Sequence, residues 1–182
     1  MLAEATPLRG LLLLTPRVYE DGRGFFYEAW NQTRFEAVIG LSPRFVQDNH
    51  SRSSRGVIRG LHYQVEPSAQ GKLVRVAHGS IFDVAVDIRR SSETFGHWFG
   101  TELSGTNLHQ LWIPGGFAHG FLSLKDGTDV VYKATSHYSP EHDRTIRWDD
   151  PRIGIEWPIE EEPMISDKDS GAPPLIDAEV FD

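Results

Sequence analysis

Arg59-Gly60-Leu61-His62-Tyr63-Gln64, followed after a short break by Gln70-Gly71-Lys72-Leu73-Val74-Arg75, is the stretch whose reading decides the fold. Val57, Arg59, Leu61 and Tyr63 alternate with Ile58, Gly60, His62 and Gln64, the period of a strand whose successive side chains point to opposite faces. Lys72 to Val76 alternates in the same way. Pairing of these two strands would turn His62 and Lys72 into one cavity. A base beside a fixed cation is what removal of a proton next to a carbonyl requires.

Outward from this stretch the strand signal repeats. Leu8 to Thr15 reads as a first strand ended by Pro16, and Asp21-Gly22-Arg23-Gly24 as a turn before the aromatic run Phe25-Phe26-Tyr27. Asn31 is placed to cap a short helix running to about Ile39, with Phe35 and Val38 or Ile39 as its buried face. Arg44 to His50 alternates as a strand, and Ser51 to Gly56 reads as a loop. Ile81 to Ile88, Phe95 to Leu103, His109 to Ile113, Ala118 to Leu124 and Thr128 to Thr135 are further strand-like runs separated by turns. Roughly ten short strands with only one or two short helices indicate an all-β sandwich or barrel. The stretch from Asp149 is rich in proline, acid and glycine, without repeats or a linker. One domain, 1–182, is expected.

Bulk properties narrow the function. A chain of 182 residues can bury a sizeable core, and 39% apolar with 24% charged residues reads as soluble and globular. No apolar run is long enough to span a membrane, and Met1-Leu2-Ala3-Glu4 lacks a basic region before an apolar one, so a cytoplasmic protein is expected. The absence of cysteine excludes disulfides, thiolate metal sites and a cysteine nucleophile. A net charge of −8 without a basic arm argues against nucleic acid and anionic membranes as partners. Arg23, Arg59 and Arg75 lie in apolar or glycine-bearing contexts, where a guanidinium grips phosphate or simply pairs with a carboxylate.

Pro114-Gly115-Gly116-Phe117-Ala118-His119 resembles the second signature of the cupins, small double-sheet jelly rolls, with Pro114, Gly116 and His119 in the matching positions. In the first signature His62 takes the place of the first histidine, Gln64 that of the second, and Lys72 that of the glutamate. An amide and an ammonium in place of two ligands remove donors and add a repelling charge, so no metal is expected.

Glu20 to Phe26, Phe45 to Ser51, Gly56 to Gln64, Gln70 to Arg75 and Tyr138-Ser139-Pro140-Glu141-His142 together resemble the dTDP-4-dehydrorhamnose 3,5-epimerase family. The resemblance implies a cupin-type jelly roll that needs no cofactor. It further implies epimerisation of carbons 3 and 5 of dTDP-4-dehydro-6-deoxy-D-glucose, on the route to dTDP-L-rhamnose, by a homodimer. The partner so implied is a dTDP-linked 4-keto-6-deoxy sugar. The early Leu11–Leu14 strand offers an edge for pairing with a second copy.

Residue by residue, His62 looks like the base, since imidazole titrates near neutral pH. Asp169 matches its carboxylate partner, Lys72 the cation that steadies the enolate, and Tyr132 the proton donor on the opposite face of the sugar. Taken alone, Asp169 reads sooner as a solvated acid, Lys72 as a surface lysine and Tyr132 as a core aromatic. Arg23, Glu28, Gln47, Asp48, Asn49, Arg59, His119 and Lys168 match substrate contacts, and Tyr138 a ring that stacks on thymine. Asp143 stands where the family often has the longer glutamate.

Three readings compete with the double epimerase. One is a mono-epimerase acting on carbon 3 or carbon 5 alone, which shares the same four catalytic residues. Another is a metal-dependent cupin enzyme, and the third a non-catalytic sugar-binding jelly roll.

Overall fold

The computed structural model describes residues 1–182. Its strands are β1 (Leu2–Ala5), β2 (Leu12–Thr15), β3 (Val18–Asp21), β4 (Gly24–Tyr27), β5 (Gln47–Ser53), β6 (Ile58–Gln64), β7 (Lys72–His78), β8 (Ser80–Asp87), β9 (Trp98–Ser104), β10 (Gln110–Ile113), β11 (Phe117–Ser123), β12 (Thr128–Ala134) and β13 (Asp143–Thr145). Helix α1 (Gln32–Ile39) precedes β5, and α2 (Asp167–Ser170) and a 3-10 turn (Leu175–Asp177) lie near the end. A six-stranded sheet in the order β1-β2-β10-β7-β12-β5 faces a five-stranded sheet in the order β13-β6-β11-β8-β9, and β3–β4 forms a separate hairpin. This is the double-sheet jelly roll of the cupin type.

Alternation divides the side chains among three layers. Val74, Val76, Leu111, Ile113 and Val130 of the first sheet meet Ile81, Ala85, Leu103, Phe117 and Phe121 of the second, forming the core between them. On the outer face of the six-stranded sheet, Leu14, Leu73 and Trp112 bury Phe35 of α1. On the outer face of the five-stranded sheet, Leu61, Tyr63, Val84, Val86 and Ala118 are covered by Ile146, Ile153, Leu175 and Ala178. The polar C-terminal stretch is thus a fitted cover for that sheet. Phe35 is fully buried between Phe45 and Trp112. Phe35→Ala is expected to cost about 3–5 kcal/mol, measured by denaturant unfolding.

Several boundaries differ from the sequence reading. The first predicted strand begins at Leu12 rather than Leu8, because Leu8 and Leu11 turn into the core with a Leu11 N–H to Leu8 carbonyl turn between them. Leu2–Ala5, unrecognised in the sequence, pairs outside it. β2 is therefore flanked on both sides, and the free edge is β1. Ser51 to Ser53, read as loop, continue β5 in register with β12. Asn31 caps α1 as expected, its side chain accepting from the Arg34 N–H.

The largest correction concerns the deciding stretch. β6 and β7 do not pair; they belong to opposite sheets and face each other across the interior. His62 and Lys72 still share a cavity, but through the gap between layers.

β6 also carries a bulge, since His119 faces His62 while Phe121 faces Arg59, setting two residues, Gly60 and Leu61, against Gly120. The extra residue shifts the alternation by one, which brings Arg59 to the same side as His62. Only glycine fits at the bulge: Gly60 has φ +134°, and a Cβ there would sit 2.5 Å from the Gly120 Cα.

Candidate active site

Beside the packed core, where Phe121 and Tyr132 border it, the inward positions become polar and enclose a cavity of about 290 Å³. His62 comes from β6 and His119 from the facing position on β11, while Lys72 and Tyr132 come from β7 and β12 of the opposite sheet. Arg59, Gln47, Asn49, Tyr138, Asp143 and Lys168 complete the predicted set lining the cavity. Gln64 also lines it, but its amide is committed to the Ser68 and His137 carbonyls and the Ser139 N–H. No three histidine or carboxylate side chains converge as the donor set of a metal centre.

Asp169 stands behind His62, its side chain only 3% exposed, and its Oδ1 lies 2.6 Å from His62 Nε2. Oδ2 accepts the Gly60 N–H, and the Ser166 hydroxyl caps α2 at the Asp169 N–H. Burial alone would raise this carboxyl. Hydrogen bonds and charge from His62, with the Gly60 and Ser166 contacts, outweigh it and hold the group below the usual carboxylate range. His62 consequently turns its Nδ1 away from the carboxylate, with the side chain 34% exposed.

Lys72 is buried and donates to the His62 backbone carbonyl at 3.1 Å, without a carboxylate in contact. Burial pushes its ammonium down to about 8, against the pull of Asp143 and Asp83. Tyr132 is raised by burial, with the Arg59 charge opposing. His119 is lowered by burial and pairs through Nε2 with Asp83 Oδ1 at 2.7 Å.

At the mouth, Asp143 Oδ2 accepts from Lys168 Nζ at 2.5 Å and from the Tyr138 hydroxyl at 3.2 Å. Gln47 bonds Asn49 and accepts the Tyr138 N–H. Arg59 donates to Ser53 Oγ and the Arg52 carbonyl and has no carboxylate partner, so it presents a free positive charge. Tyr138 is 56% exposed, a ring lying open at the entrance.

Three predicted residues lie elsewhere. Asp48 falls on the other face of β5 from Gln47 and Asn49 and pairs with Lys133 at 3.0 Å. Arg23, at the tip of the β3–β4 hairpin, is 91% exposed and paired with Asp21, and Glu28 pairs with Arg34. Conversely, Asp83 went unrecognised. Its signal was present: an acid at an inward position between the apolar Ile81 and Ala85.

A cupin jelly roll whose cavity brings together a histidine–carboxylate pair, a tyrosine and a buried lysine holds the groups that acid–base isomerases use. The family profile of dTDP-4-dehydrorhamnose 3,5-epimerase matches residues 5–177. The chain is 51% identical over 181 residues to the dTDP-4-dehydrorhamnose 3,5-epimerase of Pseudomonas aeruginosa, covering 100% of this chain and 99% of that one. The crystal structure of dTDP-6-deoxy-D-glucose-3,5-epimerase from Legionella pneumophila, in complex with dTDP-4-keto-L-rhamnose, superposes with a TM-score of 0.94 at 48% identity. It covers 97% of this chain and 94% of that chain. A 3′-monoepimerase from Streptomyces bikiniensis, in complex with dTDP-quinovose, is similar at TM-score 0.89 and 33% identity, covering 94% of this chain and 86% of that one. The chain belongs to the dTDP-4-dehydrorhamnose 3,5-epimerase family, and is an isomerase.

Proposed function

We propose that this chain inverts carbons 3 and 5 of dTDP-4-dehydro-6-deoxy-D-glucose, with His62 as base and Tyr132 as acid. The observation that carries this is their placement on opposing sheets of one cavity. A hexose ring lying between the sheets meets a base on one side and a phenol on the other, and inversion needs that arrangement. His62 Nδ1 takes the proton at the carbon beside the keto group while Asp169 holds Nε2–H, stabilising the imidazolium. Lys72 balances the charge gathering on the keto oxygen, in a site where burial strengthens that interaction. Tyr132 returns a proton from the other side.

At about 290 Å³ the cavity is at the small end for ligand sites, enough for the sugar but not for a whole nucleotide sugar. The diphosphate then meets Arg59 and Lys168, and the base lies at the mouth, stacked on Tyr138. The double epimerase is preferred to the mono-epimerase because the similarity at 51% is to a 3,5-epimerase, whereas that to the monoepimerase is 33%. Incubation with the 4-keto sugar nucleotide in heavy water, followed by NMR, tests it: deuterium should enter and configuration invert at both carbons. Uptake at one carbon alone overturns the double reaction. Tyr132→Phe is expected to slow inversion about 100-fold or more while hydrogen exchange at the carbon facing His62 persists; inversion at the normal rate would place the acid elsewhere.

The working form in this reading is a homodimer, acting in the cytoplasm. The β3–β4 hairpin stands apart from both sheets with Phe25 and Phe26 exposed and Arg23 at its tip, and the β1 edge is free. Arg23 and Glu28, absent from this copy's cavity, would reach the nucleotide of a second copy. Light scattering should give twice the chain mass of 20.5 kDa, and Phe26→Asp should lower both that mass and nucleotide affinity. An active monomer would overturn the dimer.

A further inference from the structure

The cavity wall holds a second histidine backed by a carboxylate, His119 with Asp83 behind it, which the roles above leave unexplained. Asp83 lies on β8 between the inward residues Ile81 and Ala85, with no exposed surface. Its Oδ1 meets His119 Nε2 at 2.7 Å, while its Oδ2 is buried without any hydrogen-bond partner. Burying a carboxylate with an idle oxygen is unfavourable, and an apolar side chain would pack the strand better.

Structural need does not account for it. β8 and β11 are already in register over seven consecutive residue pairs, so a side-chain tie adds little to their alignment. Asp87, four residues on along the same strand, shows what a structural acid looks like here. It is equally buried, yet both of its oxygens are occupied, by Arg89, Ser92 and Thr94. Asp83 instead spends one oxygen on an imidazole lining the cavity and leaves the other unpaired, its charge felt by Lys72.

We propose that Asp83 is a positioning residue of this site: it fixes His119 with Nε2–H toward the carboxylate and Nδ1 toward the cavity, and it is the buried counter-charge to Lys72. With Nε2 so occupied, a neutral His119 offers only a lone pair to the cavity. It therefore accepts a hydrogen bond from a sugar hydroxyl instead of competing with Lys72 for the keto oxygen. The division of labour is complete: Lys72 meets the developing oxyanion, and His119 holds the ring at a hydroxyl.

This inference rests on the epimerase reading, which turnover of the unaltered protein tests separately. Its own test begins with the unaltered protein, ¹⁵N-labelled at histidine, the His119 signals being assigned by their loss in His119→Gln. The expected signature is a protonated Nε2 and an unprotonated Nδ1. Asp83→Asn retains a carbonyl for His119 and removes the charge. It should lower kcat about 10- to 100-fold, as loss of an orienting carboxylate does elsewhere, with dTDP affinity little changed.

Its basic limb should also move to lower pH. The charged and titratable groups around Lys72 are Arg59, His62, His119, Asp83, Tyr132, Asp143 and Lys168, and the variant alters only one of them. Asp83→Ala should in addition abolish the tautomer preference. A protonated Nδ1 in the unaltered protein would overturn the proposal whether or not the variants fold. So would an Asp83→Asn protein with unchanged kcat and pH profile, or one losing thermal stability alone.

Discussion

With His62→Ala, neither carbon of the 4-keto sugar is expected to take up deuterium in heavy water, and epimerisation should fall about 100- to 10,000-fold, the range a positioned general base supplies. Both carbons should be lost together, because one imidazole at the cavity wall serves whichever carbon the ring presents to it. dTDP should still bind, since Arg59, Tyr138 and Lys168 do not depend on His62 for their placement. Undiminished exchange would remove His62 as the base. Exchange lost at one carbon only would require a second base for the other.

Lys72→Ala should lower kcat about 100- to 1,000-fold with a much smaller effect on nucleotide binding, because the charge it meets is present only as the enolate forms. A parallel loss of affinity would instead make Lys72 a phosphate contact. The sign of its pH dependence follows from burial. The ammonium, pushed down to about 8, is charged below that pH and neutral above it, so kcat/KM of the free enzyme should fall as pH rises through about 8. Folding has the opposite trend. Between about 8 and the ordinary lysine value the unfolded chain binds the proton that the folded one has lost, so stability contributed by this group rises with pH.

Much of this was legible in the residues, for physical reasons that also mark where legibility stopped. The period-two pattern placed His62 and Lys72 on inward faces even though their strands lie in opposite sheets, because either arrangement turns the same alternate positions inward. Pairing itself was not legible, since partners in a jelly roll are distant in sequence. Alternation alone sets Arg59 opposite His62, although it lines the cavity, because a bulge adds a residue that no alternation count reveals; Gly60 beside it is the hint. Asp169 came only from resemblance: nothing in a polar stretch 107 residues away announces that it returns to His62. Asp48 was drawn in by its neighbours Gln47 and Asn49, yet alternation sends it to Lys133. Asp83 could have been found, as an inward acid in an apolar strand demands a partner.

The segment after β13 covers the outer face of one sheet and carries Asp169 to the back of His62. The anion behind His62 is therefore supplied by the covering segment and by neither sheet. Proteolytic trimming behind β13 is expected to take the anion from the imidazole and the apolar cover from the sheet in one cut, so that activity and stability should fall together.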